Sequence, residues 1–322
     1  MDFTITTYQN LLKSLQSAGF FFITFHEYMN GQYPAKFVIL RHDVDLLPHN
    51  SLRFAKIQAA LGIKGSYYFR AVPESWDERI IKEIAALGHE VGYHYENMDE
   101  ASSKFKVQSS KLVPENREYD QLLDLAYNDF CENLEKLRQL VPVSTICMHG
   151  SPRSKFDNKA IWDKYDYKSL GIIGEPYYDV DFNKVFYLTD TGRRWDGWKS
   201  SIRDKVPQQE LWNKQGLTFH STQDIISAIN KVKNEKRKVK NEVDSGNLNF
   251  EQFDRLTASP GTLNIEPITL NFEHGTSNFP SHIMFTMHPQ RWHDSIVPWT
   301  KELVMQNAKN VVKRWFLVKN EK

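Results

Sequence analysis

Apolar and polar positions fall along the chain in blocks whose period switches between helix and strand. From Met1 to Gly19 the residues Tyr8, Leu11, Leu12, Leu15 and Ala18 recur at helical spacing, so an amphipathic helix opens the chain. Lys36–Leu40 is a short apolar run that stops at Arg41-His42-Asp43 and reads as a strand. A helix over Asn50–Leu61 follows, with Leu52, Ile57 and Leu61 inward and Gly62 as its C-terminal stop. Ser66–Phe69 reads as the next strand and His89–Tyr93 as a third. Between them, Asp77–Leu87 carries Ile80, Ile81, Ile84 and Leu87 on one helical stripe. Tyr119–Leu140 is a long helix with Leu122, Leu123, Ala126, Phe130, Leu134 and Leu137 inward, and Thr145–Met148 is a fourth strand. Further strands are expected at Leu170–Ile173, Val185–Leu188 and Ile283–Met287, and a closing helix over Pro298–Val312.

Strands alternating with helices argue for a parallel sheet or barrel. In such folds functional residues lie just past the carboxyl ends of the strands. Polar clusters do follow the apolar runs: His42-Asp43-Val44-Asp45, then Arg70, His94-Tyr95-Glu96, His149-Gly150-Ser151-Pro152, Thr189-Asp190-Thr191-Gly192-Arg193 and His288. From about residue 225 to 259 the character changes, and Asn230–Asp244 is dense in Lys and Glu, as expected of a solvated helical insertion.

The charge balance narrows the partners. Lys and Arg number 41 against 40 Asp and Glu, so no general nucleic-acid or anionic-membrane surface is expected. Two cysteines, Cys131 and Cys147, make neither a disulfide framework nor a cysteine-rich zinc site, and both read as small buried hydrophobes. With no signal-peptide pattern and no run of roughly 18 apolar residues, the expected location is the cytoplasm.

Asp43 and Asp45 lie two apart at a strand end, so both carboxylates project the same way. Such a pair repels unless a proton or a cation lies between. A divalent metal resolves the conflict: one carboxylate ligates it while the other accepts a proton from water. His94, His149 and His288 sit at other strand ends, and imidazole with carboxylate suits zinc and related ions. This pattern points to a metal hydrolase.

The segments Arg41-His42-Asp43-Val44-Asp45, Ser66-Tyr67-Tyr68-Phe69-Arg70 and Gly88-His89-Glu90-Val91-Gly92-Tyr93-His94 resemble the first half of the polysaccharide deacetylase family of carbohydrate esterases. Met148-His149-Gly150-Ser151-Pro152, Leu188-Thr189-Asp190-Thr191-Gly192 and Met287-His288-Pro289-Gln290-Arg291-Trp292 look like a divergent, deacetylase-like branch. The resemblance covers roughly Lys36 to Trp292 with gaps. It implies an α/β fold, a distorted seven-stranded TIM-like (β/α) barrel. That barrel would be one domain over 1–322, with an N-terminal helix–strand extension (1–35) and a charged insertion (about 195–280). It implies Asp43 as catalytic base, Asp45 and His94 as metal ligands and His288 as general acid. The family's second histidine ligand, four residues after the first, falls at Met98, a poor ligand. His149 is the favoured replacement, Glu96 is next, and a weak or lost site is the third option. Arg70, Glu96, Asp190, Arg193 and Trp292 are expected at the substrate or in orienting the acid and base. Trp195 and Trp198 join Trp292 as rings that either stack on a sugar or pack in the core, and His89 is expected to be structural. The implied activity is removal of an N-acetyl group from an amino-sugar-containing substrate, using a divalent metal, first Zn2+ and otherwise Co2+, Mn2+ or Ni2+. Competing readings are a deacetylase of a small non-carbohydrate amide and a non-catalytic glycan-binding protein.

Overall fold

Thr4 opens the first helix, α1 (Ile5–Ser17), by accepting a hydrogen bond from Thr7 N, and Ile5, Tyr8, Leu11, Leu12 and Leu15 form its buried face. The computed structural model describes residues 1–104, 116–150, 156–196, 206–244 and 279–320. A short strand, β1 (Phe21–Ile23), follows α1, and a capping box between Thr24 and Glu27 starts α2 (Phe25–Met29). The chain then alternates: β2 (Phe37–Val44), α3 (Pro48–Ala60), β3 (Ser66–Phe69), α4 (Glu78–Ala86), β4 (Glu90–Tyr95) and α5 (Asn97–Lys104). After α6 (Asn116–Arg138) come β5 (Ile146–Met148), α7 (Pro176–Asp179), β6 (Phe186–Thr189), α8 (Gln209–Lys214), α9 (Thr222–Asp244), β7 (His282–Met287) and α10 (Ile296–Asn320).

Every strand pairing is parallel, and the sheet runs β5-β4-β3-β2-β7-β6. It curls into a half-barrel of six strands, compatible with a distorted (β/α) barrel. β1 lies off this path: it pairs with Phe37–Ile39, below the stretch of β2 that pairs with β3. All eight residues of β2 are buried, as expected of a central parallel strand covered on both faces. β2 therefore runs past Leu40 through Arg41, His42 and Asp43, which sequence assigns to the following turn. These polar side chains stay in the strand because each has a partner there. His42 stacks on Tyr67 and contacts Gln58 on the helix-facing side, while Arg41 and Asp43 pair on the opposite side.

One expected strand is absent. Leu170–Ile173 has no strand pairing, because Tyr167–Leu170 is a 3-10 turn capped by Asp166 and closed by Gly171 at φ +72°. Among the described residues a single bridge, Thr145 to Gly174, marks where a strand beside β5 would run. Gly92 of β4 is required by packing, since a Cβ there would overlap the Tyr68 ring and the Thr145 carbonyl. The core lies on both sides of the sheet. A second cluster, built from Met98, Ala101, Leu122, Leu123, Ala126 and Ile161, joins α5 to α6. Of the charged insertion, α9 packs its first turns on α1 through Ile225, Ile226 and Ile229. Residues 197–205 and 245–278 lie outside the described residues. Among the described residues no helix is long and apolar enough to cross a membrane.

Candidate metal centre

Strand parity and register build the site. Arg41 and Asp43 alternate on one face of β2, and Asp45 continues that alternation past its end. Asp43 is level with Tyr68 of β3, which is level with Gly92 of β4. His94 stands two residues further along β4, opposite Cys147 of β5, and His149 comes two residues after Cys147. Residues far apart in sequence thus converge at the carboxyl ends of the strands.

The convergence is tight. Asp45 Oδ1 lies 3.5 Å from His94 Nε2 and 3.6 Å from His149 Nε2. Ligand atoms on one tetrahedral zinc, with bonds of about 2.0–2.1 Å, stand about 3.3–3.5 Å apart. The second nitrogen of each ring is directed elsewhere. His94 Nδ1 donates to the Cys147 carbonyl at 2.9 Å, which turns Nε2 toward Asp45. His149 Nδ1 lies 3.0 Å from Glu96 Oε2, an ion-pair contact. Arg70 clamps Glu96 with two bonds of 2.7 and 2.8 Å and also donates to the Asp45 carbonyl. Asp45 Oδ2 accepts from Gln290 Nε2 at 3.1 Å, but its buried Oδ1 has no hydrogen-bond partner among the described residues. A buried carboxylate oxygen without a donor, faced by two imidazole nitrogens, is what a cation site requires and what a structural network avoids.

The described residues hold two groups that could bind a metal ion: Asp45, His94 and His149, and Asp43, His94 and Cys147. No family model matches this chain, and the search of curated proteins finds no match either. The donor geometry therefore carries the reading. It favours the first group, because both Asp43 oxygens are already held by Arg41, at 2.8 and 2.7 Å. A cation on Asp43 would face that guanidinium, and Cys147 Sγ is turned to the Met148 carbonyl. Burial pushes the Asp43 carboxyl up, but Arg41, His94 and His288 outweigh it and hold the group at about 2. Burial likewise raises Asp45, and His94, His149 and His288 bring it well below the usual carboxylate range. Burial pulls His149 down, yet Glu96 and Asp45 together raise it above an ordinary histidine.

His288, just past β7, faces the same centre. Its Nε2 is 4.0 Å from Asp43 Oδ2 and 3.9 Å from Asp45 Oδ2. Its Nδ1 is 2.6 Å from Asp190 Oδ1, and its backbone N–H donates to Asp190 Oδ2. Asp190 also accepts from Trp292 Nε1 at 2.7 Å and Arg291 Nη1 at 3.1 Å, so it is a positioning residue sealed behind the imidazole.

The other expected residues divide. Arg70 and Glu96 hold His149 and the Asp45 backbone. Trp292 is 1 % exposed and Trp195 2 %, so of the two alternatives both take the packed one; Trp292, expected at the substrate, instead donates to Asp190. Trp198 lies outside the described residues. Arg193 takes φ +56°, donates to the Trp299 carbonyl and lies over the Phe3 and Trp299 rings, which ties it to the segment before α1 and to α10 instead of the centre. His89 bonds the Gly65 N–H and the Ala55 carbonyl, as a structural residue should. Met98 is fully buried between α5 and α6 and offers the centre nothing. Sequence reasoning missed Arg41 as the clamp on Asp43 and Gln290 as the donor to Asp45. It also missed Glu175, which is fully buried and accepts from Met148 N and Tyr177 N. Their two-residue spacing could have paired Arg41 with Asp43; nothing local marks Glu175.

Proposed function

We propose that this chain is a metal-dependent amide hydrolase of the polysaccharide-deacetylase type, on a distorted seven-stranded (β/α) barrel, that removes an N-acetyl group from an amino-sugar-containing substrate. The observation that carries this reading is the unpartnered Asp45 Oδ1 between two imidazole nitrogens, with a second carboxylate and a third histidine alongside. Asp45, His94 and His149 would hold a divalent cation, zinc before cobalt, manganese or nickel, given two nitrogen donors and one oxygen. When bound, such a cation supplies Lewis acidity that polarises an amide carbonyl and acidifies water.

The chain's own groups account for the proton. Asp43 is kept ionised at neutral pH by Arg41, and as the carboxylate beside the Asp45–His94–His149 group it would take the proton of the attacking water. Arg41 fixes its orientation through two bonds, so little is lost in aligning it. Asp190 fixes the His288 ring through Nδ1 and leaves Nε2 toward the centre, where it delivers a proton to the departing amine. Water and amide become acetate and a free amine: His288 protonates the nitrogen as the C–N bond breaks, and the proton that Asp43 took from water restores His288, whose Nε2 lies 4.0 Å from Asp43 Oδ2. The test is acetate release from N-acetylglucosamine oligomers by zinc- or cobalt-loaded protein. Asp43→Asn should retain metal and lose roughly 10²–10⁴-fold in rate. Full activity in that variant would remove Asp43 as the base, and no release from any acetylated amine would end the hydrolase reading.

A further inference from the structure

A groove leads away from the outer side of Asp45. Its walls are Leu46, Leu47, Gln290 and Arg291 on one side and Lys301, Glu302, Met305, Gln306 and Lys309 of α10 on the other. Lys301, Met305 and Lys309 are spaced four apart, so they form one stripe along the helix, about 12 Å from end to end at 1.5 Å per residue. Among the described residues neither lysine is paired with a carboxylate. Of the two acidic lining residues, Asp45 belongs to the centre at the inner end, and Glu302 is buried, accepts from Gln306 at 2.6 Å and acts electrostatically on Arg193, so its charge is already met. Arg291 adds a further cation at the inner end, although Asp190 engages it. Gln290 Oε1 is buried in this lining without a hydrogen-bond partner among the described residues, while the same amide donates to Asp45. The groove thus offers an unmet acceptor beside the metal centre, exposed apolar side chains at Leu46, Leu47 and Met305, and two free ammonium groups beyond them.

We propose that this groove recognises an anionic group on the substrate, so that the acetylated unit carries a phosphate or a carboxylate distal to its amide. The identity of the reacting end rests on the hydrolase reading; the anion site itself does not. Gln290 Oε1 accepts a hydroxyl of the sugar, and Lys301 and Lys309 meet the anion. Exposed ammonium groups act through screened attraction, so the preference is modest and salt-sensitive.

The experiment is calorimetric binding, at low salt, of N-acetylglucosamine, its 1-phosphate and N-acetylmuramic acid to the metal-loaded full chain. The phosphate or the carboxylate form should bind about tenfold more tightly than the neutral sugar. Which of the two does so identifies the source of the anion. The advantage should fall to about one in Lys301→Gln/Lys309→Gln, whose surface changes leave the fold intact by circular dichroism, and it should shrink in high salt. Equal binding of all three sugars, no binding of any, or an advantage that survives in the double variant would overturn the proposal. An anion advantage lost in the double variant, with no acetate release from any sugar, upholds the groove and removes the hydrolase reading alone.

Discussion

Replacing Asp45 should cost metal affinity and replacing Cys147 should not, because the two candidate donor groups share His94 and divide at these residues. Structural zinc sites bind with about 10–16 kcal/mol, so one donor of three or four accounts for about 3–4 kcal/mol, or at least 10²-fold in affinity. Asp45→Ala removes the oxygen that stands 3.5 and 3.6 Å from the two Nε2 atoms and should weaken zinc about 100-fold or more. Cys147→Ala leaves the Cys147 carbonyl, and hence the His94 orientation, in place, so zinc affinity should stay within about threefold. The assay is competition against a chromophoric chelator at pH 8. Mild alkali is needed because Glu96 and Asp45 raise His149, so its proton competes with the metal as the pH falls. Zinc at 100 times its Kd should stabilise the wild type by about 2.7 kcal/mol, roughly 5 °C in Tm for a chain of this size. That shift should be absent in Asp45→Ala and intact in Cys147→Ala. Cobalt loading should give no thiolate-to-metal charge-transfer band. A strong band, with affinity lost in Cys147→Ala and kept in Asp45→Ala, would refute the assignment.

Three further outcomes test the surroundings of the centre. Asp190→Asn leaves Arg291 and the His288 ring without their buried counter-charge; it should lower stability by about 3 kcal/mol and change the His288 tautomer seen by nitrogen-15 NMR, and an unchanged tautomer would show that Asp190 does not orient the ring. Glu175 is raised by burial to about 7, only partly offset by Met148 N, Arg41 and Tyr177 N. Its folded pKa exceeds its unfolded one, so its contribution is complete below about 4.5 and is lost as pH rises through about 7, an effect of order 3 kcal/mol at 1.36 kcal/mol per pKa unit. Urea unfolding should therefore show the wild type losing stability between pH 5 and pH 8 relative to Glu175→Gln; parallel pH curves would contradict this. Gly92→Ala forces a methyl into the Tyr68 ring and the Thr145 carbonyl and should lower stability by about 1–3 kcal/mol, read as a drop in the urea midpoint, whereas an unchanged midpoint would mean that the sheet yields there.

Much of the fold was legible because the hydrophobic period is strong where a helix or strand buries one regular face. Ile80, Ile81 and Ile84 on α4, and the Ser66–Phe69 strand, follow directly from spacing. The failures are local. Leu170–Ile173 reads as apolar and extended, but Asp166 and Gly171 supply turn chemistry that satisfies the backbone before a ladder can form. The end of β2 was cut short at Leu40 because Arg41, His42 and Asp43 look like loop residues. Only their partners from elsewhere in the chain, Gln58 and Tyr67 around His42 and the Arg41–Asp43 pair within the strand, make them tolerable in a buried position.

The site was legible to the extent that it depends on strand ends, and illegible where it depends on what lies behind them. Asp43, Asp45, His94, His149 and His288 were each found by their place after an apolar run, and the curled parallel sheet does gather them. Spacing within one segment is a weaker guide. A histidine four residues after His94 would lie on α5, where Met98 instead fills the apolar seam against α6. The seam needs a hydrophobe, and the second imidazole near Asp45 Oδ1 comes instead from His149 just past β5, two residues after the Cys147 that pairs with His94. The supporting partners were missed for the same reason that they work. Glu96 reaches His149 only with Arg70 across from β3, and Asp190 reaches His288 only because β6 pairs with β7. Such contacts are set by sheet order, which no single segment encodes. A variant that keeps every strand-end donor but breaks this backing, such as Arg70→Ala, should therefore retain the fold and bind zinc about 10–100-fold more weakly. Undiminished affinity in the chelator assay would show that the donors alone define the centre.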